Sequence, residues 1–222
     1  FHPGRFRPHR ELTALMTLIT TFFVLTVLVS RFYTSGVYIV PIIIVPIIIT
    51  VFYNSSIAYF IYIIEILLCA VTATFPIEFI FIETAAGIAV IFSLKELSRR
   101  SQLLRSAALG FITYVTAYVA VELMTTGSLS ALSWKLIGFF GVNAVLISFA
   151  YILIFLFEKA SGQVSLVTLV ELSDINTRTL RELSRECPGT FQHSMAVSNL
   201  ASEAAHRIGA NVQLVRAGAL YH

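Results

Sequence analysis

Val37-Tyr38-Ile39-Val40-Pro41-Ile42-Ile43-Ile44-Val45-Pro46-Ile47-Ile48-Ile49-Thr50-Val51-Phe52-Tyr53 carries no charged residue. In water its β-branched content would favour a strand. Lipid imposes a different rule, because only helices and closed barrels satisfy the backbone there. A barrel strand would alternate apolar and polar residues, and this stretch does not. It therefore reads as a membrane helix, bent at Pro41 and Pro46, each of which removes a backbone donor. Five more stretches are long enough, or nearly so, to cross about 30 Å of hydrocarbon: Leu12–Ser30, Ile57–Thr74, Ile77–Leu94, Ser106–Met124 and Leu136–Phe157. The third and fourth spans in chain order are separated only by Phe75-Pro76.

Composition agrees with six spans. Of 222 residues 57% are apolar and 12% charged, and the mean hydropathy is +0.86. Ordinary globular chains are about 45–50% apolar and about 25% charged. A soluble domain, a disordered chain, a collagen and a secreted disulfide scaffold are all excluded. Charge returns after Gly162, with Glu171, Asp174, Arg178, Arg181, Glu182, Arg185, Glu186, Glu203, Arg207 and Arg216. The chain thus divides into a basic segment (1–11), a membrane region (12–157), linker and coupling helices (158–186) and the start of a soluble domain (187–222).

The basic residues set the orientation. Arg5, Arg7, Arg10, Lys95, Arg99, Arg100, Arg105 and Lys159 fall on one side of a six-span topology, and only Arg31 and Lys135 on the other. That bias places both ends of the chain in the cytoplasm, with the C-terminal tail cytoplasmic. It also accounts for the basic balance without a nucleic-acid polymer as partner. Phe1–Arg10 has no signal-peptide apolar core, and the topology leaves room for a first span and an outside segment before it. Cys69, in a span, and Cys187, in the tail, are expected reduced.

Carboxylates inside spans are costly unless they face the bundle. Glu65 and Glu83 form a candidate intramembrane polar site, either a ligand pocket or relay, or interhelical hydrogen bonding that holds the bundle. Glu78, Glu122 and Asn143 carry the same two readings and a third, that they simply sit at interfaces. Gly138, Gly141 and Ala144 suggest close helix packing.

In the tail, Val164, Leu166, Val167, Leu169, Val170 and Leu172 form an apolar face at helical spacing. Asp174 is the expected N-cap of a helix through Arg185 that buries Ile175, Leu180 and Leu183 and leaves its arginines solvated. Pro188-Gly189-Thr190 starts a helix that Gly209 stops, and Asn211 caps another. His193 lies about 24 Å and His222 about 17 Å from the intervening turn, at about 1.5 Å per residue. A helical hairpin would bring both toward one end, where two imidazoles can share a metal or simply be polar surface. His206 has no such context and should face solvent.

Pro188-Gly189-Thr190-Phe191-Gln192-His193-Ser194, Leu200-Ala201, Ile208-Gly209-Ala210-Asn211 and Arg216-Ala217-Gly218-Ala219-Leu220-Tyr221-His222 together resemble the HD-domain hydrolases. More narrowly they resemble the bacterial seven-transmembrane HD family of cyclic di-AMP phosphodiesterases, the PgpH type. The resemblance implies an all-α polytopic bundle, with six spans here and a seventh upstream, followed by the first helices of a cytoplasmic HD domain. It implies a bacterial cytoplasmic-membrane protein, truncated here at both ends, whose intact form hydrolyses cyclic di-AMP to linear pApA under an extracellular signal. It makes His193 and His222 metal ligands, with the Asp of the family's His-Asp doublet due immediately after His222, and the cofactor a divalent pair of iron or manganese. Such a pair suits His and carboxylate donors and can activate water against a phosphodiester. The segment alone is expected to be inactive. Its partners would be cyclic di-AMP and the lipid bilayer, and a homo-oligomer is compatible with the sequence. Two other readings stay open: a receptor with a degenerate nucleotide-binding HD domain, and a transporter using Glu65 and Glu83.

Overall fold

The structure is a computed structural model and describes residues 7–33, 35–53, 55–94 and 101–221. The described residues are all-helical, with eleven α-helices, two 3-10 turns and no strand among them. They divide into two compact units at Gln163/Val164. Arg5, Lys95, Arg99 and Arg100, used for the charge bias, lie outside the described residues.

The first unit holds α1 (Arg7–Phe32), α2 (Ile44–Phe52), α3 (Ser55–Ala70), α4 (Pro76–Ser93), α5 (Ser101–Thr126), α6 (Trp134–Ser148) and α7 (Ala150–Ser161), with 3-10 turns at Gly36–Tyr38 and Leu129–Ala131. Within α1, α4 and α5, the segments His9–Phe32, Pro76–Ser93 and Gln102–Thr126 are each long and apolar enough to cross a membrane. The pair α6 and α7, bent by 48° at Phe149, supplies a fourth crossing if taken as one broken span. At 16 residues α3 is shorter, about 24 Å.

Val37–Tyr53 is not one bent helix. Pro41 has no N–H and pushes Val40 away from helical backbone. The helix starts only after two tight turns, in which Ile44 N–H donates to Pro41 O (2.9 Å) and Val45 N–H to Ile42 O (3.0 Å). The resulting helix, α2, has nine residues. Pro46 sits in its first turn, where a missing N–H removes no intrahelical bond. Both Val37 and Thr74 line one cavity, at the far end of α3 from Ser55. Residues 39–53 must therefore return along the length of α3, and they do so as a turn and then a short helix.

A helix that is apolar all round belongs inside. Ile42, Ile43, Val45, Ile47, Ile48 and Ile49 are fully buried, and α1, α3, α4 and α7 surround α2. The other helices turn aromatic and aliphatic side chains outward instead, among them Phe60, Phe81, Phe92 and Ile112. Gly138 and Gly141 are not tight contacts. A Cβ at Gly138 would meet nothing within 4 Å, and one at Gly141 would meet only Phe111 at 3.9 Å. The closest approaches among the described residues are at Gly36, against Val29, and at Gly87, against the Tyr62 ring, with Gly110 against Val90 (3.1 Å) next.

Gly162 ends α7 in the left-handed region (φ 71°), with its N–H on Glu158 O (2.9 Å). The second unit begins beyond it, with α8 (Leu166–Leu172), α9 (Arg178–Glu186), α10 (Pro188–Arg207) and α11 (Val212–Leu220). Ser165 caps α8 by accepting from Thr168 N–H. Asp174 does not cap α9. Its carboxylate instead accepts from Asn176 N–H (2.9 Å) and Asn176 Nδ2 (3.1 Å), a local turn that delays the helix to Arg178. Ile175 is left exposed in consequence, Leu180 is buried, and Arg178, Arg181 and Arg185 are exposed as expected. The α10 end is a Schellman motif, with Gly209 at φ 68°, Gly209 N–H on His206 O (3.2 Å) and Ala210 N–H on Ala205 O (2.9 Å). Asn211 Oδ1 accepts from Leu214 N–H (3.0 Å) to start α11. The helices α10 and α11 pack as a hairpin over Ser198, Ala205 and Ala217, with Ser198 Oγ donating to Arg216 O (3.1 Å).

Two alanine substitutions separate tight from loose glycines. Gly87→Ala should lower stability by about 1–3 kcal/mol through overpacking against Tyr62. Gly138→Ala should be neutral or gain about 0.5–1 kcal/mol from helix propensity. Thermal unfolding of the purified membrane protein in detergent checks both. Equal midpoints for the two variants would contradict this packing.

Candidate functional site

Glu65 and Glu83 are both fully buried within the first unit, on α3 and α4. They are held differently. Glu83 Oε2 accepts from Tyr114 Oη of α5 (2.7 Å) and from Tyr62 Oη of α3 (2.9 Å), and Tyr62 Oη also lies 3.0 Å from Glu83 O. Two phenolic donors on one carboxylate oxygen tie three helices together. Glu83 Oε1 has no partner among the described residues. Among the described residues Glu65 has only the long Cys69 Sγ contact (3.9 Å), with Thr26 of α1 beside Cys69. The two carboxylates thus have separate partners, and at Glu83 the geometry is a helix clamp.

An aromatic stack extends the clamp. Tyr114 stacks on Phe140 (5.1 Å, 8°), and Phe140 meets the edges of Tyr38 (5.6 Å, 88°) and Tyr118 (5.8 Å, 65°). Asn143, also fully buried, points Nδ2 at Val40 O (3.3 Å) and Tyr38 O (3.5 Å). These are carbonyls that the break before α2 leaves without helical partners. Glu83 and Asn143 were legible as buried polar residues; their tyrosine and carbonyl partners were not. The available signal was the tyrosines within apolar helices, since a buried phenol needs an acceptor.

In the second unit His193 lies in the first turns of α10 and is exposed. It shares a helical face with Val197, Leu200 and Ala204, all exposed as well. The Ser198–Arg216 bond sets the hairpin register so that the end of α11 lies toward the His193 end of α10. His222 lies outside the described residues. His206 is exposed. Among the described residues no three His, Cys, Asp or Glu side chains come together as a metal site. His193 therefore fits a metal as one exposed donor of a set, not as a complete centre.

The Glu83 clamp can be measured by a double-mutant cycle of Glu83→Gln and Tyr114→Phe. A coupling of about 0.6–2 kcal/mol is expected, the range of interhelical hydrogen bonds in membranes. Strict additivity in thermal unfolding would show that the bond does not hold the helices.

The first 165 residues match the profile of the family described as 7TM receptor with intracellular HD hydrolase. Among curated relatives, the cyclic-di-AMP phosphodiesterase PgpH of Bacillus subtilis is 32% identical over 225 residues, covering 94% of this chain and 31% of that protein. PgpH of Listeria monocytogenes is 35% identical over 143 residues, covering 62% of this chain and 19% of that protein. An uncharacterised Synechocystis protein is 48% identical over 65 residues, 29% of this chain and 8% of that protein. The chain thus spans less than a third of the length of each of these relatives. No solved structure matches it. A bundle of apolar helices followed by a separate helical unit, matched by that profile over most of its length, makes this chain a member of the family of 7TM receptors with an intracellular HD hydrolase.

Proposed function

We propose that this chain belongs to a membrane-bound, metal-dependent phosphodiesterase that hydrolyses cyclic di-AMP to linear pApA, adding one water across one of the two phosphodiester bonds. The observation that carries the reading is the face of α10 on which His193 stands among Val197, Leu200 and Ala204, all exposed. An exposed apolar stripe beside one imidazole marks a contact surface, which supports a reading in which further helices pack there. On this reading residues 187–222 begin an HD domain, and His193 and His222 are two of its metal ligands. Bound iron or manganese would supply a water activated for attack and neutralise phosphodiester charge. The contribution of this chain's own residues is placement: Ser198 and the small residues of the hairpin fix α10 against α11, and so fix the end at which His193 sits.

The membrane region is proposed to cross six times, counting α1, the returning segment through α2, α3, α4, α5 and the broken pair α6–α7. The bias of the basic residues supports a tail in the cytoplasm, and the bacterial relatives support the bacterial cytoplasmic membrane as its site. Residues 1–11 would be a cytoplasmic basic segment and 158–186 the coupling between membrane and catalytic regions, driven by a signal from outside. Self-association is compatible with this arrangement.

The test is turnover of cyclic di-AMP by the full-length membrane protein with manganese or iron, comparing wild type with His193→Ala and His222→Ala. Each substitution should reduce activity by more than the roughly 10–100-fold that loss of an outer-sphere partner costs, with metal content falling in parallel. Equal turnover in all three would remove both histidines from the metal site. Insertions of two to four residues beside Gly162 should change the response to regulation while leaving the fully activated rate intact. An unchanged response across the set would count against a coupling role for the segment after α7.

A further inference from the structure

Glu83 Oε2 receives two phenol hydrogens, but Oε1 of the same carboxyl has no hydrogen-bond partner among the described residues, and neither has Asn143 Oδ1. Both residues are fully buried. Buried polar atoms are nearly always paired, because an unpaired one has lost its water for nothing. The two orphan oxygens belong to one cluster. The Tyr114 hydroxyl donates to Glu83 Oε2 (2.7 Å), and the Asn143 side chain reaches that same hydroxyl. Tyr62 Oη stands on the other side of Glu83 Oε2 (2.9 Å). The four side chains come from α3, α4, α5 and α6. Asn143 also ties the cluster to the break before α2, through the carbonyls of Tyr38 and Val40. Interrupted helices with buried oxygens beside the break are where membrane proteins hold small cations.

The cluster has more acceptors than hydrogens. Both phenols donate to Glu83, and Asn143 Nδ2 points at the two backbone carbonyls. None of these hydrogens is left for Oε1 or Oδ1. Nor is there a basic side chain to serve them. The helices α2, α3 and α4 contain no lysine, arginine or histidine, and Arg105 and Lys135 stand near the starts of α5 and α6, whereas Glu83 is in the middle of α4. Among the described residues no cationic group pairs with Glu83. Two phenol donors on one oxygen fit a carboxylate better than a neutral acid. A carboxylate at this depth needs a counter-charge.

We propose that a single alkali-metal cation, sodium or potassium, binds in this cluster on Glu83 Oε1 and Asn143 Oδ1, with the phenolic oxygens of Tyr62 and Tyr114 beside it. The donor set is carboxylate, amide and hydroxyl oxygen, the ligand type that hard cations take. One carboxylate balances one positive charge, whereas a divalent ion would leave a net charge buried in the bundle. Tyr62, Tyr114 and Phe140 around the cluster are fully buried, which favours a bare ion over an organic ammonium group. Such an ion would tie α6 to α4 and so hold the break before α2 in place. The claim concerns the membrane region and does not depend on the hydrolase reading.

The test uses the full-length protein in lipid nanodiscs, prepared in choline chloride and titrated at constant ionic strength with sodium, potassium or calcium chloride. Heat of binding and the unfolding midpoint are the readouts. Wild type should show a saturable response to sodium or potassium, and the two titrations tell which ion is held. Glu83→Gln puts an amide N–H where Oε1 stands, a donor that serves Asn143 Oδ1 in place of the ion. It should weaken the response at least tenfold. Glu65→Gln, whose carboxyl has separate partners, should keep the wild-type response. The wild-type titration decides the matter even if Glu83→Gln folds poorly. No saturable response of wild type to either alkali ion, a response to calcium alone, wild-type affinity in Glu83→Gln, or loss of the response in Glu65→Gln would overturn the proposal. So would an infrared band of a protonated carboxyl that Glu83→Gln removes and added salt does not.

Discussion

Hydrocarbon cannot satisfy a backbone that has left the helix. That constraint organises the first unit. Pro41 interrupts the run from Val37 to Tyr53; Val40 O keeps a local donor in Ile42 N–H (2.8 Å), while no backbone N–H of the described residues reaches Tyr38 O. Asn143 supplies a donor to both carbonyls from α6. Because the broken segment must be covered, α2 takes the centre of the bundle and the long helices surround it. The placement of Phe140 and Tyr114 against Tyr38 stems from the same centre, and with it the tyrosine clamp on Glu83.

The second unit is held differently. Three of its four helices are short, and helix ends are fixed by specific local bonds, among them Ser165 at the start of α8, the Schellman turn at Gly209 and Asn211 at the start of α11. Such caps contribute about 1 kcal/mol each, enough to fix where a helix begins but not to replace a core. The core here is modest: Leu180, Ala205, Ala217 and Leu220 are buried while Leu200 and Ile208 are not. Exposed surface ion pairs such as Arg178–Glu182 (2.9 Å) add little.

Much of this was legible in the chain. Hydropathy found every apolar segment, and turn chemistry at Pro188, Gly209 and Asn211 placed α10 and α11 closely. The failures were those of one-dimensional reading. Hydropathy cannot tell a segment buried in protein from one buried in lipid, so the run through Pro41 and Pro46 read as an ordinary bent span. Asp174 looked like a cap because its competing partner, Asn176, is equally local. Gly138 matched a packing pattern whose partner helix is not there, whereas Gly87, with no pattern around it, meets Tyr62. At the candidate sites, buried Glu83 and Asn143 stood out by type alone. Their partners come from other helices, a relation that no spacing along the chain records.

The central position of α2 also bears on how the protein is made. Membrane insertion reads a chain segment by segment, and Val37–Tyr53 is apolar enough to enter lipid as soon as it emerges. Its final donor arrives late, because Asn143 is 105 residues beyond Tyr38. Between those moments the segment must exist in a provisional form, with its freed carbonyls served by water, headgroups or a temporarily continuous helix. A reporter fused just after Tyr53 would record that early topology. Maps drawn from fusions truncated there would describe the chain before Asn143 is present.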